Sequence, residues 1–158
     1  MSDELESAHL ADTLKDEYNA IREKAFGLLA RREHSEFELR SKLCPLASPM
    51  LIDELIGRLI QKNIQSDLRF AEMLCRSRFN QGKGPLKLYH ELSQNQIDSC
   101  IVEQVMKPYE DGWRDLAKQV REKKFGTAPV DNYREWARQA RFLQQRGFNA
   151  SHFDDFAG

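Results

Sequence analysis

The stretch "SRFNQGKGPLKLYHEL", residues 77–92, predicts a bend between two helices. Gly82 is placed to end the first helix in the left-handed conformation, Gly84 to lead into the second, and Pro85 to occupy its first position. A P-loop would need a preceding strand, a longer glycine loop and a Ser or Thr after the lysine, and none of these is present. The stretch is therefore a helical joint rather than a phosphate cradle, and Lys83 stays available to a partner.

Apolar residues on both sides of this joint recur at helical spacing, and start signals separate them into short helices. Before it, Ser35 and Glu38 form a capping box, and Ser48 precedes a proline at a first helical position. Asp67 and Asp98 are placed to cap two helices of the middle of the chain. The same order of helix, turn, helix, loop and helix then repeats towards the C-terminus, where we expect a short final helix.

Three cycles of this pattern predict an all-α fold without strands. Three short helices bury too little apolar surface alone, so we expect neighbouring bundles to share it in an elongated, curved tandem array of three three-helix, helix-turn-helix-like repeats. The expected division is a flexible acidic segment at 1–17 followed by repeats at 18–66, 67–109 and 110–158.

Composition places the chain among folded proteins of the cytoplasm. Its 158 residues are 41% hydrophobic and 31% charged, enough for a core. Apolar runs are too short to span a bilayer, and the acidic N-terminus argues against a secretory signal. The three cysteines are far apart and odd in number, which favours reduced, mostly buried thiols.

The net charge of -1 conceals an uneven distribution. Residues 1–17 carry six acids and one base, so the remainder has a charge of +4. Residues 73–90 contain four bases and no acid, and residues 114–146 contain nine bases and four acids. A basic face permits contact with a polyanion or an acidic partner surface, while the alternative is an ordinary solvated helix face.

The residues give no sign of a catalytic or metal centre. The four histidines are isolated from one another, and no cysteine pair has the spacing of metal ligands. No histidine lies near a cysteine in sequence, which favours inert thiols. A sequence-reading helix-turn-helix is disfavoured because Glu36 and Glu38 open one candidate helix where phosphates would lie. We therefore expect no enzyme activity, no cofactor and no metal.

The chain resembles the RecX family, which regulates the bacterial RecA recombinase, over about residues 20–157. Its motifs occur in order, and the position between the two glycines, often aromatic in the family, is here Lys83. The matching residues are "HSEFELRSKL" (34–43), "DLRFA" (67–71), "GKGPLKLYHEL" (82–92), Trp113 with "LA" (116–117), "KKFG" (123–126) and "RFLQQRGF" (141–148).

The resemblance implies a monomeric, non-catalytic modulator that lodges in the groove of the RecA–DNA filament. It would block filament growth or promote disassembly, and touch single- or double-stranded DNA weakly or within the filament, with no membrane contact. Eight cations are the expected contacts with filament or DNA, since caps, core and turns explain the other motif residues: Arg40, Arg69, Arg76, Arg78, Lys83, Lys87, Arg141 and Arg146. The alternative is a stand-alone DNA-binding helical module without sequence specificity.

Overall fold

The protein is all-α in its structure, a computed structural model that describes residues 1–156. No β-strand occurs within those residues, and the all-α prediction is confirmed. Three short 3-10 helices lie at Lys107–Gly112, Ala150–His152 and Asp154–Phe156. The α-helices are α1 (Ser2–Arg31), α2 (Glu36–Leu43), α3 (Pro49–Gln61), α4 (Asp67–Asn80), α5 (Pro85–Gln94), α6 (Ser99–Met106), α7 (Trp113–Phe125) and α8 (Tyr133–Gln145).

Most helix ends follow the signals in the sequence. The Ser35 hydroxyl accepts from the Glu38 N–H at 3.0 Å, and the Glu38 carboxylate accepts from the Ser35 N–H at 3.4 Å, which confirms the capping box. Gly84 and Pro85 begin α5 as expected. Gly82 and Gly147 have φ angles of +74° and +95°, the left-handed region that favours glycine.

The predicted cap at Asp67 is wrong. Ser66 caps α4, because its hydroxyl accepts from the Arg69 N–H at 3.2 Å, and Asp67 is the first residue of the helix. The Asp67 carboxylate instead accepts from the Glu36 N–H at 2.8 Å and from Gln65 Nε2 at 3.0 Å. It therefore satisfies one of the free backbone donors at the start of α2, a helix distant in sequence.

The chain divides into two compact units, Met1–Phe70 and the part from Ala71 onward, with the boundary inside α4. In the first unit α1, α2 and α3 pack on one another. Ile60, at the end of the apolar stripe of α3, is 45% exposed. The core of this unit consists of Ile21, Ala25, Leu39, Leu43, Leu51, Ile52, Leu55, Ile56 and Leu59.

The acidic N-terminal residues belong to α1, which begins at Ser2. Residues 2–16 are exposed, and the apolar contacts of the helix begin near Tyr18. The expected flexibility of residues 1–17 stays a prediction, as do the repeat boundaries at 66/67 and 109/110.

In the second unit an aromatic cluster joins the end of α4 to the start of α7. The ring centroid of Phe79 lies 5.0 Å from that of Tyr109 and 5.4 Å from that of Trp113. Aromatic pairs of this kind stabilise a fold by more than their buried area alone would.

The expected final helix takes the form of the two C-terminal 3-10 helices, and a capping box between Asn149 and His152 opens the first of them.

The cysteines only partly match the expectation of buried thiols. Cys75 is buried, and burial raises the pKa of its thiol to about 11, which makes it a poor nucleophile. Cys44 and Cys100 are exposed, so the prediction is wrong for these two.

Within residues 1–156, no helix combines the length and the apolar composition that crossing a bilayer requires.

Candidate partner-binding surface

The glycine-rich turn between α4 and α5 is bonded to the turn that follows α8. The Gly84 N–H donates to the Arg146 carbonyl at 2.8 Å, and the Leu86 N–H donates to the Gly147 carbonyl at 3.0 Å. A Cβ atom on Gly84 would lie 2.4 Å from the Gly147 oxygen, and one on Gly82 would lie 2.7 Å from a methyl group of Val120. Gly84 lets the two turns approach this closely, and Gly82 lets Val120 of α7 approach the first turn, because neither glycine has a side chain.

This contact places the end of α4 beside α7 and the last turn of α8, and a groove of about 400 Å³ lies between them. Its apolar lining comes from Leu116, Val120 and Phe142, and its basic rim from three cations. The lining residues are Asn80, Gln81, Gly82, Leu116, Gln119, Val120, Lys123, Lys124, Phe142 and Arg146.

Phe142 organises the basic rim. Lys124 Nζ and Arg146 Cζ each lie 5.4 Å from the centroid of its ring, and Phe125 meets the ring edge-on at 5.3 Å. Arg146 Nη1 also donates to the Gln81 carbonyl at 3.4 Å. An aromatic face holds a cation in place without cancelling its charge, unlike a carboxylate. The groove therefore keeps its positive charge.

Three of the eight predicted contact residues bind carboxylates inside the fold. Arg40 bonds Glu36 at 2.9 Å and also bonds Asp53, Arg69 bonds Glu33 at 3.0 Å, and Arg78 bonds both carboxylate oxygens of Glu91, at 2.8 and 3.0 Å. The premise that folding leaves these charges unexplained is therefore wrong for Arg40, Arg69 and Arg78. Their contact with a partner stays a prediction.

The other five predicted residues have no carboxylate partner within residues 1–156, and the structure does not bring them all together. Arg146 lines the groove. Arg76 and Lys87 are exposed on α4 and α5, and Lys83 is half-buried in the turn between them. Arg141 is exposed on α8 and lines a different groove with Arg134 and Arg138.

Lys123, Lys124 and Phe142 were missed as site residues by sequence reasoning. They lie in the "KKFG" and "RFLQQRGF" motifs, but nothing local shows that one ring would hold cations from two helices. The excess of bases over acids at 114–146 was the available signal, and it did not separate these residues from others of the same segment.

Arg121 shows why an excess of bases in a segment does not by itself identify the residues that bind a partner. It is a buried arginine whose Nε donates to Gln139 at 2.8 Å and whose Nη2 donates to the Ala128 carbonyl at 3.1 Å. Gln139 in turn donates to Glu135, whose pKa is lowered to about 2 by its hydrogen bond from Arg138. Arg121 and Arg138 therefore have roles inside the fold of the second unit.

A second groove of the same unit has the opposite character. It measures about 590 Å³ and combines the apolar side chains of Ile97, Val102 and Met106 with the carboxylates of Glu103 and Glu110. The two carboxylates on its rim disfavour the binding of a polyanion there.

No group of three His, Cys, Asp or Glu side chains that could hold a metal occurs in residues 1–156.

Two family models match the chain. The second three-helix domain of RecX matches residues 66–106, and the third three-helix domain of RecX matches residues 114–156. Together they cover more than half of the chain, including the glycine-rich turn and the groove.

Curated relatives and solved structures agree with these models. Regulatory protein RecX of Halorhodospira halophila is 38% identical over 83% of this chain and 82% of its own, and that of Pseudomonas syringae pv. tomato is 40% identical over 82% and 84%. A crystal structure of RecX from Lactobacillus salivarius matches 92% of this chain and 95% of its own, with a TM-score of 0.70 and 26% identity. Another, of regulatory protein RecX, matches 92% and 75% with a TM-score of 0.76 at 19% identity, and supports the fold.

Proposed function

The chain belongs to the RecX family of regulatory proteins, and we propose that it is a non-catalytic modulator, mainly an inhibitor, of the RecA recombinase. It acts as a monomer in the cytoplasm by lodging in the groove of the RecA–DNA filament. There it blocks filament growth or promotes disassembly. ATP hydrolysis, strand exchange and LexA-type co-cleavage decrease as a result, because each depends on the assembled filament.

Family membership over more than four-fifths of the chain is the observation that carries this proposal. The unpaired cations support it, since Arg76, Lys87 and Arg141 are exposed and the groove at Phe142 retains its charge. Cations of this kind attract the acidic surfaces of protein protomers and the phosphates of DNA. The three repeats at 18–66, 67–109 and 110–158 are proposed as successive contacts along the filament.

The decisive experiment measures ATP hydrolysis by RecA already assembled on single-stranded DNA. We expect the protein to lower the rate at amounts well below that of RecA, because each blocked filament end or gap affects many protomers. The loss of filament should follow in parallel when it is viewed by electron microscopy. The Pseudomonas syringae relative is assayed in parallel to compare two members of the family.

An unchanged ATPase rate at equimolar protein would reject the proposal. Salt-sensitive binding to naked duplex DNA without any effect on RecA would instead establish the stand-alone DNA-binding module. The inhibitor hypothesis therefore requires a change in the activity of RecA, whereas the DNA-binding hypothesis requires only binding to naked DNA.

A further inference from the structure

The groove at Phe142 holds three cations that the fold does not neutralise. Lys123, Lys124 and Arg146 have no carboxylate partner within residues 1–156, although nine ion pairs involve other side chains of that range. Like charges gathered around one groove repel one another, and that repulsion is relieved when an anion enters. The arrangement therefore favours a ligand with several negative charges.

The geometry of the rim suits successive phosphates. Lys124 Nζ and Arg146 Cζ each lie 5.4 Å from the centroid of the Phe142 ring, so they cannot be further apart than twice that distance. A nucleic-acid strand carries one phosphate on each nucleotide, so successive phosphates can meet Lys124 and Arg146 together. The side-chain amides of Asn80, Gln81 and Gln119 add donors of the kind that bind phosphate oxygens.

We propose that this groove binds the phosphate backbone of a single nucleic-acid strand, with Lys123, Lys124 and Arg146 as its phosphate contacts. The binding is independent of base sequence, because the three cations contact phosphates, which carry no sequence information. The inference deepens the proposed function, in which the strand would be the DNA of the RecA filament. Its test is made without RecA.

A single strand fits the groove better than a duplex or an acidic peptide. Lys124 and Arg146 meet one ring, and Lys123 lines the same groove of about 400 Å³, which a flexible strand can enter and a rigid duplex would meet only at its edge. A phosphate accepts through several oxygens and can bond an amide and a cation together, and the rim provides both.

The test compares two variants of the full chain that lose the same charge. The groove variant is K123Q/K124Q/R146Q, and its matched control is K107Q/K118Q/R134Q, which removes two lysines and one arginine of the same unit outside the groove. Binding of a labelled oligothymidylate of about 12 nucleotides is followed by fluorescence anisotropy across a range of salt. Circular dichroism and thermal unfolding check that both variants are folded.

We expect the groove variant to lose binding by roughly tenfold or more at low salt and the control by about twofold or less. With three phosphate contacts removed, the slope of log affinity against log salt should become shallower by about 2 for a single strand. Between 50 and 200 mM salt, that difference corresponds to about a 16-fold change.

Equal losses in the two variants, or an unchanged groove variant, would overturn the inference. So would tighter binding of a duplex or of a polyglutamate peptide than of the oligothymidylate. A protein that binds the strand through the groove but leaves RecA unaffected would reject the proposed function and leave the groove assignment standing.

Discussion

The backbone N–H of Gly84 donates a hydrogen bond of 2.8 Å to the carbonyl oxygen of Arg146. This bond joins the turn between α4 and α5 to the end of α8, and Gly147 extends it with a second bond to Leu86 at 3.0 Å. The side chain of Arg146 forms part of the rim of the groove. The backbone hydrogen bond therefore fixes the position from which this side chain extends. The glycine-rich turn that separates α4 from α5 therefore also positions a cation of the candidate surface.

Gly84→Ala should destabilise the second unit. The added Cβ would lie 2.4 Å from the Gly147 oxygen and 2.7 Å from the Phe148 nitrogen, so the backbone must move apart. We expect a loss of about 1–3 kcal/mol in the free energy of unfolding, together with weaker oligothymidylate binding. Urea unfolding followed by tryptophan fluorescence measures it, since both tryptophans, Trp113 and Trp136, lie in this unit.

Gly57→Ala is the control, and its urea unfolding is followed by circular dichroism because both tryptophans lie outside the first unit. Gly57 is exposed inside α3, and a Cβ there would meet nothing within 4 Å. Alanine should stabilise the helix by about 0.5–1 kcal/mol because glycine loses more freedom on folding. If Gly84→Ala also failed to lower the free energy of unfolding, the close approach of the two turns would be disproved.

Arg78 and Arg76 should differ although both were predicted as contact residues. The Nε of Arg78 donates to both carboxylate oxygens of Glu91, and both side chains are 27% exposed, so Arg78→Gln should cost about 1 kcal/mol of stability. Arg76 is exposed and without a carboxylate partner in residues 1–156, so Arg76→Gln should change stability by less than about 0.5 kcal/mol.

A double-mutant cycle separates the pair from the rest of the fold. Thermal unfolding of Arg78→Gln, Glu91→Gln and the combined variant should give a coupling energy close to the cost of losing Arg78. A coupling of zero would show that Arg78 is free for a partner after all.

Phe142→Leu should weaken oligothymidylate binding without changing its salt dependence. The substitution removes the ring that holds Lys124 and Arg146 but none of the charge. A loss of about 0.5–1 kcal/mol per cation–π contact predicts an affinity reduced several-fold. The slope against salt should stay the same, because the number of phosphates contacted is unchanged.

Phe142→Tyr keeps an aromatic face and serves as the matched control. It should retain affinity near that of the original protein. A flatter salt slope in Phe142→Leu would indicate instead that a phosphate contact had been lost together with the ring.

His34 should make the first unit sensitive to mild acid. The side chain is 2% exposed, its Nδ1 donates to the Arg32 carbonyl at 3.1 Å, and its Nε2 accepts from Lys42 Nζ at 3.1 Å. Burial lowers the pKa of His34 from its ordinary value of 6.5, with further lowering by the charges of Arg32 and Lys42. The fold therefore prefers the neutral ring.

The sign of the pH effect follows from this preference. The stability contributed by neutral His34 is present above about pH 6.5 and is lost as the pH falls through the lower, folded-state pKa. His34→Gln should reduce the loss of protection in α2 between about pH 7 and pH 5, measured by amide hydrogen exchange. His152, whose pKa burial also lowers, lies in the other unit, so His152→Gln should not alter the exchange in α2.

Asp67 should contribute to stability through its acceptor oxygen rather than as a cap of its own helix. Asp67→Ala removes the bonds from the Glu36 N–H and from Gln65, and we expect a loss of about 1–3 kcal/mol in thermal or urea unfolding. Asp67→Asn keeps an oxygen at that position and should lose less. Equal losses would mean that the negative charge, rather than the hydrogen bond, matters at the start of α2.

Much of the fold was predictable because its signals are local. The capping box at Ser35, the proline after Ser48 and the left-handed Gly82 depend on the backbone within one or two turns, and all are found where the sequence places them. The helical periodicity likewise predicted the all-α fold. Asp67 was misread because its carboxylate serves a helix that is distant in sequence.

The sequence by itself determined the helices, most of their ends, the family resemblance and the excess of bases in two segments. Only the tertiary structure decided which of those bases stay charged towards a ligand. Glu91 neutralises Arg78 across two helices, whereas Phe142 holds Lys124 and Arg146 without neutralising them. The reason is that local bonding depends on neighbours along the chain, while the net charge of a surface depends on partners that only the packing brings within a few ångströms.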